Sequence, residues 1–173
     1  MLFRSTATFL EITAPGSFPV NPCFVLIGLT YGLTIAWALT LRLVERHRWL
    51  IDLQLSADAL IVSGFIYLTG GVTSLFSSLY VLPVLAASTV RARRGGLLVA
   101  TLSTVLYVGI VLEQYLVGSG VANDPWLVPG LTLPPRSVAE YTVALNVFGF
   151  FAVALLSGAL AEAMQSEIGR AHV

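Results

Sequence analysis

Apolar residues in this chain come in runs about as long as a bilayer is thick, with polar residues collected between the runs. A hydrocarbon core of roughly 30 Å takes about 20 helical residues at ~1.5 Å each. Five segments approach that length: residues 22–41, 50–69, 75–90, 95–112 and 141–160. Backbone groups in hydrocarbon must be satisfied within the segment, so each is read as a helix. No alternation of strand period competes. The stretch "TGGVTS", residues 69–74, reads as a tight turn between the second and third helices. Its adjacent glycines permit reversing backbone angles, and its hydroxyls can satisfy free helix ends. Thr69, Gly70, Gly71 and Ser74 therefore form a turn motif. Pro83 lies inside the third segment and is expected to kink it by removing a backbone donor.

Composition agrees with the pattern. The chain is 57% hydrophobic and 10% charged, with a mean hydropathy of +0.88. A soluble domain carries about 25% charged residues, so this one would lack the charge to solvate its surface. The expected fold is all-α, a polytopic transmembrane helical bundle of five complete spans. Residues 1–21 form an N-terminal stub and outer loop, with 1–12 the remnant of an earlier helix. Residues 22–161 form the transmembrane domain, and 162–167 open a cytoplasmic helix. There is no lysine, and six of nine arginines sit in "RLVERHR" and "RARR", residues 42–48 and 91–94. The positive-inside rule puts both in the cytoplasm, together with the residues after 160. The Gly-Gly turn and the loop 117–137 then lie outside. The N-terminus lacks the h-region and cleavage site of a signal peptide.

Polar residues inside the apolar runs carry the candidate chemistry. Asp58 lies eight residues into the second helix, ~12 Å deep, where a carboxylate costs at least about 2.5 kcal/mol. Gln54 is one turn earlier on the same face, and Asn146 on the fifth helix lies at comparable depth. Three readings stand: a polar clamp between helices, part of a signal-sensing site, or an ion or proton pathway. Asp52 is interfacial, with Arg46 or Arg48 to neutralise it. Gly28, Gly32 and Ala36 put small residues on one face and allow close helix approach, within one subunit in preference to a dimer seam. Ala154 and Gly158 repeat this more weakly. The single cysteine, Cys23, excludes an internal disulfide. No catalytic pair, zinc spacing or phosphate loop is present, and no cofactor, metal or nucleic-acid partner is expected for this chain; its expected partner is the lipid bilayer.

The stretch "QLSADALIVSGFIYLTGGVTSLFSSLYVLPVLAAS", residues 54–88, followed by "RRGG" at 93–96, resembles the membrane sensor region of PilS/NtrB-type two-component sensor histidine kinases. The matching positions are Gln54, Asp58, Tyr67, Thr69, Gly70, Gly71, Ser74, Tyr80, Ser88, Arg93, Arg94 and Gly95. The Ser-Pro-Phe usual after the turn reads "SLF" here. The resemblance covers roughly residues 22–166 and implies a signal-sensing module in the bacterial inner membrane, multi-pass, with a cytoplasmic C-terminus. It also implies a homodimeric parent that uses ATP and Mg for phosphorelay to a response regulator. Five of the family's six spans are legible. Neither His47 nor His172 lies in a His-Glu-x-x-x-Pro box, so the chain is expected to be truncated before its kinase core. The closing "IGRAHV", residues 168–173, breaks from the preceding helix-forming sequence and matches a peptide encoded by a common sequencing adapter. It is read as a non-native tail. The alternative to the sensor is a small integral membrane transporter or channel-like protein.

Overall fold

The computed structural model describes the backbone of residues 20–44, 49–116 and 133–171, and side chains within 23–39, 50–116 and 133–167. Every element among the described residues is helical. Helix α1 is Val20–Val44, α2 is Trp49–Leu68, α3 is Val81–Leu116 and α4 is Arg136–Ala171. Two 3₁₀ turns, Gly71–Thr73 and Leu75–Tyr80, join α2 to α3.

Contact pairs establish how these elements run. Ser63 meets Tyr80 and Thr69 meets Ser74, so α2 and the segment after it form a hairpin about Gly71. Ser88 faces Gly96, Tyr80 faces Tyr107, and the Val72 amide faces Gln114. Each of these pairs is centred close to Arg93, so α3 reverses on itself there. A straight helix would hold Ser88 and Gly96 ~12 Å apart, yet a Cβ on Gly96 would lie 2.1 Å from Ser88 Oγ. The reversal is at Arg91 (φ −124°, ψ 17°) and Ala92 (φ 52°, ψ −145°). Pro83 makes no kink. It is the third residue of α3, where its missing N–H has no intrahelical acceptor to lose.

Three helical stretches among the described residues are long and apolar enough to cross a membrane: Leu50–Leu68, Leu75–Leu116 and Arg136–Glu167. The five complete spans read from sequence are corrected to this number for two reasons. Residues 75–90 and 95–112 form the two arms of one stretch, joined by the Arg91–Ala92 reversal without an intervening loop. In the first segment the apolar stretch among the described side chains is the shorter Cys23–Leu39. Helix α4 also continues without a break through residues 168–171, where the sequence suggested an interruption.

The core lies between α2, both arms of α3 and α4. Ile66, Tyr80, Val84, Ala87, Ala100, Tyr107, Phe150 and Ala154 are at most 1% exposed. Large apolar side chains cover the outside, Leu39, Leu75 and Leu156 among them. A surface of that kind needs hydrocarbon against it, and the chain is an integral membrane protein. Its hydroxyls are accommodated by donating to the carbonyl one turn back, as Thr101 does to Leu97 and Thr142 to Val138. The face of Gly28, Gly32 and Ala36 points away from the described part of the bundle. All three residues are exposed among the described residues, and a Cβ on Gly28 or Gly32 would meet nothing within 4 Å.

Candidate functional site

Helices α1 and α2 pack antiparallel, with Leu26 against Gly64, and separate around a cavity of about 340 Å³. Thr30, Leu33, Thr34, Trp37 and Ala38 line it from α1, and Gln54, Asp58 and Ile61 from α2. Asp58 and Gln54 meet here because they are one turn apart on one helix face. Neither side chain has a hydrogen-bond or ion-pair partner among the described residues. Thr30 Oγ1 donates to the Leu26 carbonyl at 2.8 Å, and Thr34 Oγ1 to the Thr30 carbonyl at 2.8 Å. Asn146 is elsewhere. Its amide nitrogen donates to the Thr142 carbonyl at 2.9 Å and reaches the Tyr107 hydroxyl at 3.4 Å.

Five residues beyond Asp58, α2 enters a buried polar and aromatic cluster. Ser63 donates to the Ala59 carbonyl, so its oxygen accepts from the Tyr80 hydroxyl at 2.6 Å. Tyr80, Tyr107 and Phe150 pack edge to face, with ring centroids 5.3–6.2 Å apart. This cluster ties α2, both arms of α3 and α4 at one level.

The two ends of the bundle are closed by glycines. In the turn, Gly70 (φ 112°) and Gly71 (φ 58°) hold left-handed angles. Thr69 and Ser74 share a 2.6 Å hydroxyl contact, and Ser74 Oγ accepts from the Phe76 amide at 3.1 Å. Gln114, fully buried, reaches across from α3 and accepts from the Val72 amide at 3.0 Å. A Cβ on Gly71 would lie 2.1–2.2 Å from the Gln114 amide. At the other end Asp52 pairs with Arg91; Arg46 and Arg48, the partners expected from sequence, lie outside the described residues. A Cβ on Gly95 would lie 2.7 Å from the Ala87 carbonyl oxygen, and one on Gly158 would lie 2.7 Å from Arg93 Cα. The "RRGG" corner is thus a tight reversal capped by α4.

A family model described as the PilS-like transmembrane domain matches residues 2–170. The chain belongs to the PilS-like transmembrane domain family. No curated protein and no solved structure matches it. In this PilS-like domain the matched positions cluster where the backbone is most constrained. Thr69, Gly70, Gly71 and Ser74 build the turn, and Ser88, Arg93 and Gly95 build the corner. Gln54 and Asp58 instead line a cavity and support no backbone feature. Sequence reasoning passed over Gln114, Ser63, Tyr107 and Phe150. A Gln beside Glu113 looks like an interfacial helix end, and only the fold brings it over Gly71.

Proposed function

We propose that this PilS-like domain is the membrane-embedded signal-sensing module of a two-component sensor histidine kinase. Family membership over residues 2–170 is the observation that supports it most directly. The proposal treats α3 as a hairpin of two arms that turns at Arg91–Ala92. The arm before Arg91 combines six 3₁₀ residues with ten α-helical ones, about 27 Å in all at ~2.0 and ~1.5 Å per residue. It places the module in a bacterial inner membrane, with the Arg91–Ala92 corner and the end of α4 in the cytoplasm. In the parent it places a homodimer whose kinase core uses ATP and Mg and hands phosphate to a response regulator.

The arrangement suits a conformational role. A signal biases two packing states only through a difference in affinity for them, and a hundredfold preference corresponds to about 2.7 kcal/mol. Asp58 and Gln54 offer a place for that difference. The Ser63–Tyr80 contact and the Tyr80–Tyr107–Phe150 cluster join the same helix to α4, the element that leaves the bundle. The transport alternative gains nothing comparable, because Asn146 does not line the cavity that holds Gln54 and Asp58.

The test is a fusion of residues 1–167 to a histidine kinase core, with autophosphorylation read in membrane vesicles. Asp58→Ala should shift the output while membrane insertion is unchanged, and Asp58→Asn should shift it less. Equal output from wild type and both variants across inducing conditions would remove Asp58 from signalling.

A further inference from the structure

The cavity between α1 and α2 has a hydrogen-bonding polarity that its residue list conceals. A threonine hydroxyl has one proton and two lone pairs. Thr30 and Thr34 have each given that proton to a helix carbonyl, so towards the cavity both can only accept. Asp58, when ionised, also only accepts. Gln54 adds a carbonyl oxygen along with its amide donors, and Trp37 adds an aromatic ring with one indole N–H, so acceptors predominate. Among the described residues that line the space there is no Arg or Lys. The site therefore asks for a donor with positive charge.

We infer that this cavity binds a small organic ammonium ion, with Asp58 as counter-ion and Thr30, Thr34 and Gln54 as acceptors of its N–H groups. In an apolar surrounding an unpaired carboxylate is costly and a cation beside it recovers much of that cost. A charged hydrogen bond is also roughly twice as strong as a neutral one. The indole of Trp37 adds cation–π attraction. At about 340 Å³ the cavity is at the low end of small-molecule sites, which limits the ligand to a compact amine. Metal ions are a poorer match. No group of three His, Cys, Asp or Glu side chains capable of holding one occurs among the described residues, and hard cations demand six or more close oxygens. Anions meet the Asp58 carboxylate with no cation among the described lining residues to offset it.

The inference names a ligand class for the sensing site and rests on the sensor reading for its consequence, while its test measures binding alone. The whole chain in nanodiscs of zwitterionic lipid is titrated calorimetrically with n-butylammonium, tetramethylammonium and n-butanol. Saturable binding of n-butylammonium is expected, with tetramethylammonium and butanol each weaker by about tenfold or more, since one lacks N–H donors and the other lacks charge. Asp58→Asn should cost at least about tenfold, and the Thr30→Val, Thr34→Val double variant about three- to tenfold. Asp52→Asn, which lies at the Arg91 corner and outside the cavity, should bind as wild type does. The double variant keeps the side-chain shape, so it carries the test if Asp58→Asn fails to fold. Unsaturable uptake by wild type, equal affinity for butanol or tetramethylammonium, or undiminished binding by the cavity variants would each overturn the inference. Ammonium binding without a response in the kinase fusion would instead count against the sensor reading and leave the site standing.

Discussion

Gly71 shows how one missing carbon organises the turn between α2 and α3. Its φ of 58° disfavours any side chain, and the Gln114 amide occupies the place of a Cβ. Gly71→Ala should therefore destabilise the domain by about 1–3 kcal/mol, from backbone strain and the displaced Gln114 bond. Gln114→Ala removes the acceptor from the Val72 amide. Because both changes break one contact, the double variant should cost less than the two single costs added. Denaturation in detergent followed by helical circular dichroism measures all three. Ala92 is the converse case, a residue with a side chain at φ 52°. Ala92→Gly should raise stability by about 0.5–1 kcal/mol in the same assay, because glycine takes that angle without strain.

Among the helices, close approach is local. Gly158 on α4 rests against the backbone of Arg93, whereas Gly149 on the same helix has nothing within 4 Å of its Cβ position. A backbone neighbour cannot rotate away as a side chain can. Gly158→Val should separate α4 from the Arg91–Ala92 corner and cost about 1–3 kcal/mol. Gly149→Ala should be neutral or stabilising by up to about 1 kcal/mol, since it only improves helix propensity. Reversed ranking of the two variants in thermal unfolding would contradict this packing. The Ser63–Tyr80 bond joins α2 to the start of α3, and Tyr80→Phe should cost about 0.6 kcal/mol, the average for hydrogen bonds between membrane helices.

For the whole molecule, the antiparallel pairings put two sets of residues at opposite ends. Asp52, Arg91, Arg93 and Gly158 share one end; Thr69, Ser74, Gln114, Tyr115 and Pro134 share the other, with Tyr115 donating to the Pro134 carbonyl at 2.7 Å. In a Cys23→Ser background, cysteine at Thr73, which is exposed, should react with an impermeant reagent added outside intact cells. Cysteine at Arg93 should react only after permeabilisation. Outside labelling at Arg93 would invert the proposed orientation and place the end of α4 away from any cytoplasmic kinase core.

Helical class, membrane residence and the reversal at the Gly-Gly turn were legible in the sequence, because hydrophobic run length and glycine placement are local properties. Gln54 and Asp58 could be put on one face for the same reason, since helix geometry alone sets a one-turn spacing. What the sequence could not supply was which face meets which. Counting along the sequence puts Asn146 at a depth comparable with Asp58, but depth says nothing about rotation about the helix axis, and the fold turns Asn146 towards Tyr107. Pro83 was a misleading signal because its effect depends on its position from the helix start, which the preceding 3₁₀ turn decides. The acceptor polarity of the cavity between α1 and α2 is likewise tertiary. It arises only when threonines that have already donated along their own helix are brought opposite a carboxylate on another.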